Sequence, residues 1–301
     1  MSLTTQLKDP GSPFNAWINS NVNRAGVAAF AHQVNRSFVN LKPSVIKGAD
    51  PSLVGTAYDY LFRWQYVGSL YDVTLVAYIG ARSLGDRHKA LMKRVVSLGN
   101  QYEVLRPECS IILAWYETLA RPGRRNADLL ESIKTPEQAF NKINLADIED
   151  LNMLIEGMSR TWPQDKRSQN YKMNPTFDGS ELVGGADADW IIDGCLYDCK
   201  TTRKQQPITA YEVLQLAGYV LLDFSDMYKL THAGWYLPRY NVVYRFPLDN
   251  LFLNLEASRE SLRKHLMRLP KMNSAGDRHR QAVAKSSRNT DWDNWVEDQY
   301  D

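Results

Sequence analysis

The chain is poor in the features that would assign it at a glance. Its three cysteines (Cys109, Cys195, Cys199) are too few, and odd in number, for a disulfide framework. Cys195 and Cys199 are spaced CxxxC with no second pair, which argues against a zinc site. The five histidines (His32, His88, His232, His265, His279) form no close pair, so a histidine metal site or a histidine-based triad is disfavoured. No Gly-x4-Gly-Lys-Ser/Thr loop occurs, and ATP hydrolysis through such a loop is excluded. No run approaches 18 apolar residues, and the polar opening MSLTTQLKDPGSPFNAW lacks the apolar stretch of a signal peptide. Charge of one sign is missing too: 36 Lys and Arg against 34 Asp and Glu leave +2, so a polyanion has to be held by local patches. The expectation from these absences is a reduced, cytoplasmic protein without a membrane partner.

What is present changes character along the chain. Segments between about 51 and 126 carry apolar residues at three- and four-residue spacing, which predicts helices. Thr135-Pro136-Glu137 predicts a further helix start, with a threonine cap and proline at the first helical position. After Trp162 the pattern shortens. MNPTFDG, ELVGGADADWIIDG and CLYDCKTT read as strands, with Asp193-Gly194 as a two-residue hairpin turn. A helix over ITAYEVLQLAGYVLLDF, strands at YKLTHAGWYLP and YNVVYRFPL, and a basic helix over about 248–269 follow. The predicted organisation is a mainly helical region over 1–165, an α/β core over 166–270 and a charged tail over 271–301. In that tail, five Lys/Arg over 271–290 give way to five acidic residues over 291–301, where Trp292 and Trp295 offer an aromatic contact either to the body or to a protein partner.

The chemistry concentrates between Gly184 and Thr202. Side chains alternate along a strand, so Asp198 and Lys200 share one face while Cys199 points to the other. The Asp193-Gly194 hairpin lays Asp187 and Asp189 alongside. Carboxylates gathered this closely repel unless a proton or cation intervenes, and a hard divalent cation, Mg²⁺ or Mn²⁺, is the economical answer. Lys200 would then position or deprotonate a water and offset charge on the phosphorane. An EF-hand loop is excluded, because its fifth and sixth positions would be Ile191 and Ile192. Downstream, Gln215 and Tyr219 are four apart and share a helix face with Tyr211.

GGADADWIIDGCLYDCKTT followed by Gln215-Leu216-Ala217-Gly218-Tyr219 resembles the PD-(D/E)XK nuclease superfamily, and within it the RecB-like exonuclease branch. The resemblance implies a restriction-endonuclease-like mixed sheet flanked by helices. It implies Asp189 and Asp198 as metal ligands, the backbone carbonyl of Cys199 as a third, and Lys200 as the catalytic lysine. Gln215 and Tyr219 take the place of that branch's helix motif. Asp187 shares strand parity with Asp189 and is an alternative first carboxylate. An upstream Gly-x-x-x-His pattern of the branch has its counterpart in Gly55-Thr56-Ala57-Tyr58-Asp59, which makes Asp59 a candidate ligand; the other reading is an i,i+4 ion pair with Arg63.

Local cations suggest how a nucleic acid would be held. Arg203 and Lys204 follow the catalytic strand, Arg259, Arg263, Lys264 and Arg268 recur on the last helix, and Arg87, Lys89, Lys93 and Arg94 cluster elsewhere. Arg63 joins the candidate nucleic-acid contacts. The expected activity is metal-dependent hydrolysis of DNA phosphodiesters, exonuclease-like, on single- or double-stranded DNA. The alternative is a catalytically inert module of the same fold that binds nucleic acid or scaffolds a larger complex.

Overall fold

The computed structural model describes residues 2–67, 70–100, 106–120, 126–162 and 167–268; the charged tail read from the sequence lies outside them. The protein is a mixed α/β chain with one five-stranded mixed sheet and many helices. The described residues divide into two compact units, one of residues 2–43 with 168–268 and the other of residues 44–167. Among the described residues no helix is long and apolar enough to cross a membrane.

The first unit opens with α1 (Leu3–Lys8), α2 (Pro13–Asn21) and α3 (Arg24–Arg36). Each start is capped by a side chain, Ser2, Ser12 and Asn23 accepting from the backbone amides of Thr5, Asn15 and Gly26. The second unit is helical: α4 (Pro51–Val67), α5 (Leu70–Ser83), α6 (Asp86–Asn100), α7 (Pro107–Ala120), α8 (Ala127–Ser132), α9 (Pro136–Phe140) and α10 (Leu145–Thr161). Helix α7 is buried on nearly every face from Cys109 to Leu119, as its all-round apolar sequence requires, and α4, α5 and α10 pack against it. Thr135 caps α9 with Pro136 at the first position, as expected.

The sheet returns to the first unit. Strands β1 (Tyr171–Met173), β2 (Trp190–Ile192) and β3 (Cys195–Cys199) run antiparallel in order. The turn between β2 and β3 is Asp193-Gly194, with φ of 50° and 69°, the two positive values a two-residue hairpin of this kind demands. Helix α11 (Ala210–Leu222) then crosses over to β4 (His232–Leu237), which pairs parallel with β3, and β5 (Val242–Pro247) closes the sheet antiparallel. Helix α12 (Leu255–Met267) follows. The segment Glu181–Gly185, expected to be extended, instead forms a 3₁₀ turn over Ser180–Val183. Positive φ at both Gly184 and Gly185 interrupts the extended run and delays the strand until Trp190.

The first 43 residues, expected as part of a helical region packed on the core, belong to the sheet unit itself. Leu3, Phe14 and Val34 join Leu216, Val220 and Trp235 in one core. Directed bonds fix them there: Leu3 N donates to the Gly185 carbonyl (2.7 Å), Gln6 Nε2 to the Val183 carbonyl (2.8 Å) and Trp17 Nε1 to Ser261 (3.2 Å). Contacts between residues about 180–240 positions apart leave no periodic trace in either segment.

Candidate active site

The hairpin register decides which carboxylates meet. Trp190 pairs with Tyr197 and Ile191 with Leu196, so one step further Asp189 stands opposite Asp198. Alternation puts both carboxylates on the sheet face of Ile191 and Leu196, which α11 covers. Asp198 is only 3% exposed, Asp189 is half-buried and Asp187 is exposed. Asp187 is bridged by its backbone to Thr176 before the strand begins.

Lys200 ties the sheet to the helix. Its ammonium donates to Asp198 Oδ1 at 3.0 Å and to Gln215 Oε1 at 3.1 Å, and lies within ion-pair range of Asp198 Oδ2 at 2.9 Å, a buried oxygen that accepts no hydrogen bond. Gln215 Nε2 in turn donates to the Tyr219 hydroxyl at 3.0 Å, which fixes the amide so that its oxygen faces the lysine. Asp189 Oδ2 accepts the backbone amide of Cys199 at 2.5 Å, locking that carboxylate against the end of β3. The four residues Asp198, Lys200, Gln215 and Tyr219 thus form one continuous chain of contacts. Helix α11 can supply two of them because Thr209 and Glu212 close a capping box at its start, while Val213, Leu216 and Val220 anchor it in the core.

The electrostatics follow from burial against charge. Burial raises the Asp198 carboxyl above its ordinary range, and the neighbouring ammonium offsets this only in part. For Lys200 burial pulls the other way, but Asp198 and then Asp189 outweigh it, so the ammonium is held well above its ordinary value. Tyr219 is raised first by burial and then by the negative charges of Asp198, Asp189 and Asp187, which keeps its phenol neutral.

Glu212 is the residue that the sequence reading missed. Its charge acts on both Asp198 and Lys200, and its side chain accepts the Thr209 amide at 2.8 Å. The signal was available, since Glu212 lies three residues before Gln215 on the same helix face.

Among the described residues, no group of three or more His, Cys, Asp or Glu side chains is gathered tightly enough to hold a metal by itself. Two opposed carboxylates are nevertheless a donor set of the right kind. Mg²⁺ is commonly held by one or two carboxylates and completes its shell with water and phosphate oxygens. Asp189 and Asp198 fit that role, with the Cys199 carbonyl next in the strand.

The expected cationic contacts separate into two kinds. Lys204 and Arg263 are exposed and Arg203 is half-buried. Arg263 lies 3.8 Å from Glu260, and Lys264 shares that carboxylate at 3.3 Å. Arg259, expected on the same face, turns inward to Asp223 (3.3 Å) and Asp226 (2.8 Å) and is not a phosphate contact. Arg63 is likewise corrected. It is 2% exposed, bonded to a partly exposed Asp59 at 2.6 Å and stacked over Tyr60, so its guanidinium is enclosed and not offered to phosphate. Comparison with family models, curated proteins and solved structures returned no match to this chain.

Proposed function

We propose that the protein is a metal-dependent nuclease of the PD-(D/E)XK type, hydrolysing DNA phosphodiesters in an exonuclease-like manner. The observation that carries this reading is the placement of Lys200. A single ammonium bridges a buried aspartate of the hairpin strand and a glutamine of the crossover helix. The strand order, an antiparallel hairpin followed by a helix and a parallel strand, supports the same reading.

Asp189 and Asp198 would hold Mg²⁺ or Mn²⁺, which when bound polarises a phosphoryl oxygen and acidifies water. Lys200 enters as a cation beside the ligand carboxylates, its ammonium bonded to Asp198 and Gln215. It donates to the non-bridging oxygen on which negative charge accumulates, and the Gln215 oxygen orients the ammonium beside Asp198. Tyr219 keeps Gln215 in that orientation. Hydrolysis adds water across one P–O bond; the attacking water loses a proton and the leaving sugar oxygen gains one.

The test is digestion of linear and circular, single- and double-stranded DNA with Mg²⁺ or Mn²⁺, with and without EDTA. Cutting should require the metal and should favour linear substrates. Asp198→Asn should lose both calorimetric Mn²⁺ binding and cutting; a variant that binds metal and cuts like the parent would overturn the assignment.

A further inference from the structure

Helix α1 lies against both elements that build the site. Its Leu3 amide and Gln6 side chain bond to the carbonyls of Gly185 and Val183, in the loop leading to Asp187 and Asp189. Its other neighbour is α11, where the Tyr211 hydroxyl donates to the Thr4 carbonyl at 3.4 Å. Tyr211 stands one turn before Gln215 and two before Tyr219, and the charges of Lys200 and Asp198 both act on it. Over its ring sits the ammonium of Lys8, 5.1 Å from the centroid, on an exposed side chain.

We infer that Lys8, held over Tyr211, is a phosphate contact for the DNA strand next to the scissile bond. The inference rests on the nuclease reading above and adds to it where the strand runs. A lysine confined by an aromatic face gives up less side-chain freedom on binding than a free one. Stacking occupies one side of the ammonium and leaves N–H donors for phosphate oxygens. Because α1 is pinned to the loop before β2 and to α11 together, this cation is fixed relative to Asp189 and Gln215.

The experiment is fluorescence anisotropy of a labelled DNA oligonucleotide in EDTA, across a salt titration, beside steady-state cleavage in Mn²⁺. Lys8→Ala should reduce the slope of log affinity against log salt by about one, raise KM severalfold and leave kcat near the parent. Lys8→Arg, which keeps the charge and the ring contact, should restore both. Lys229→Ala, at an exposed lysine beside Gly194 at the hairpin end of the sheet, should leave the slope unchanged; an equal loss of slope there would show that any exposed lysine gives the effect and would overturn the placement at Lys8. An unchanged slope in Lys8→Ala, with a parent that binds and cuts DNA, overturns this inference alone. A parent that neither binds nor cuts DNA overturns the nuclease reading and this inference with it.

Discussion

Lys200→Ala should cut single-turnover DNA cleavage by about two to four orders of magnitude, the range expected on losing a positioned charge in the transition state. The ammonium touches Asp198 and Gln215 in the resting protein, and its proton is secured by the surrounding carboxylates. Its contribution therefore appears when phosphoryl charge develops, not when DNA first binds. Metal binding should hold or tighten in the variant, because the lysine occupies the same carboxylate oxygens that a cation would use. DNA affinity should fall only slightly, since ground-state binding depends on the diffuse exposed cations and weakens with salt. Arginine is a poor replacement at a site where one ammonium bridges a carboxylate and an amide oxygen. Rates measured beside Mn²⁺ and DNA isotherms decide the matter. Equal cleavage with and without the lysine would sink the catalytic role, and a scaffold would have no metal-dependent cutting for the substitution to abolish.

The parts of this site that could be read from sequence are those in which local periodicity fixes geometry. Asp193-Gly194 needed no tertiary information to be a hairpin turn, because few other residue pairs accept positive φ twice in succession. Once the hairpin closes, strand parity alone puts Asp189 and Asp198 on one face, and helical spacing does the same for Gln215 and Tyr219. The bond from Lys200 to Gln215 joins two locally legible elements, but the contact itself is tertiary and has no signal in either one.

Side-chain direction on α12 and α4 was not legible. Arg259 and Arg263 sit one turn apart in a basic run, yet the first meets Asp223 from 36 residues away and the second faces solvent. Arg63 looks like a surface partner of Asp59, but α4 is packed so that the arginine is enclosed while Asp59 stays partly exposed. The docking of α1 onto α11 and the loop before β2 is also silent in the sequence. It is carried by backbone carbonyls at Gly185 and Val183, which any residue would supply.

The inward arginine leads to the second large effect: Arg259→Met should lower the stability of the sheet unit by about 3–5 kcal/mol at neutral pH, the usual consequence of removing one partner from a buried pair. Arg259 donates to the Val220 carbonyl at 3.1 Å near the end of α11, and to Asp223 and Asp226 in the loop that follows. Asp223 has no exposed surface and also accepts the amides of Met227 and Tyr228, at 2.9 and 3.3 Å. One guanidinium thus fixes the connection that delivers the chain from α11 to β4. Methionine keeps most of the apolar stem but leaves the Asp223 charge buried without its cation. Burial already raises the Asp223 carboxyl, with its backbone bonds and Arg259 pulling it back, so removing the arginine raises it further. The folded variant then binds more protons than its unfolded chain, and the deficit should narrow as pH falls from neutral through that raised value. Asp226 works in the opposite sense. Burial raises it, but Arg259 and Lys229 outweigh that and hold it low, so in the parent its contribution is present above the unfolded value and fades only in stronger acid. The exposed Lys229–Asp226 pair is the control, with Lys229→Ala costing no more than about 1 kcal/mol. Urea midpoints for the parent and both variants at pH 7 and pH 5 test the ordering. A loss under about 1 kcal/mol in Arg259→Met, or a deficit that widens on acidification, would show that the loop is held by its backbone bonds without the arginine.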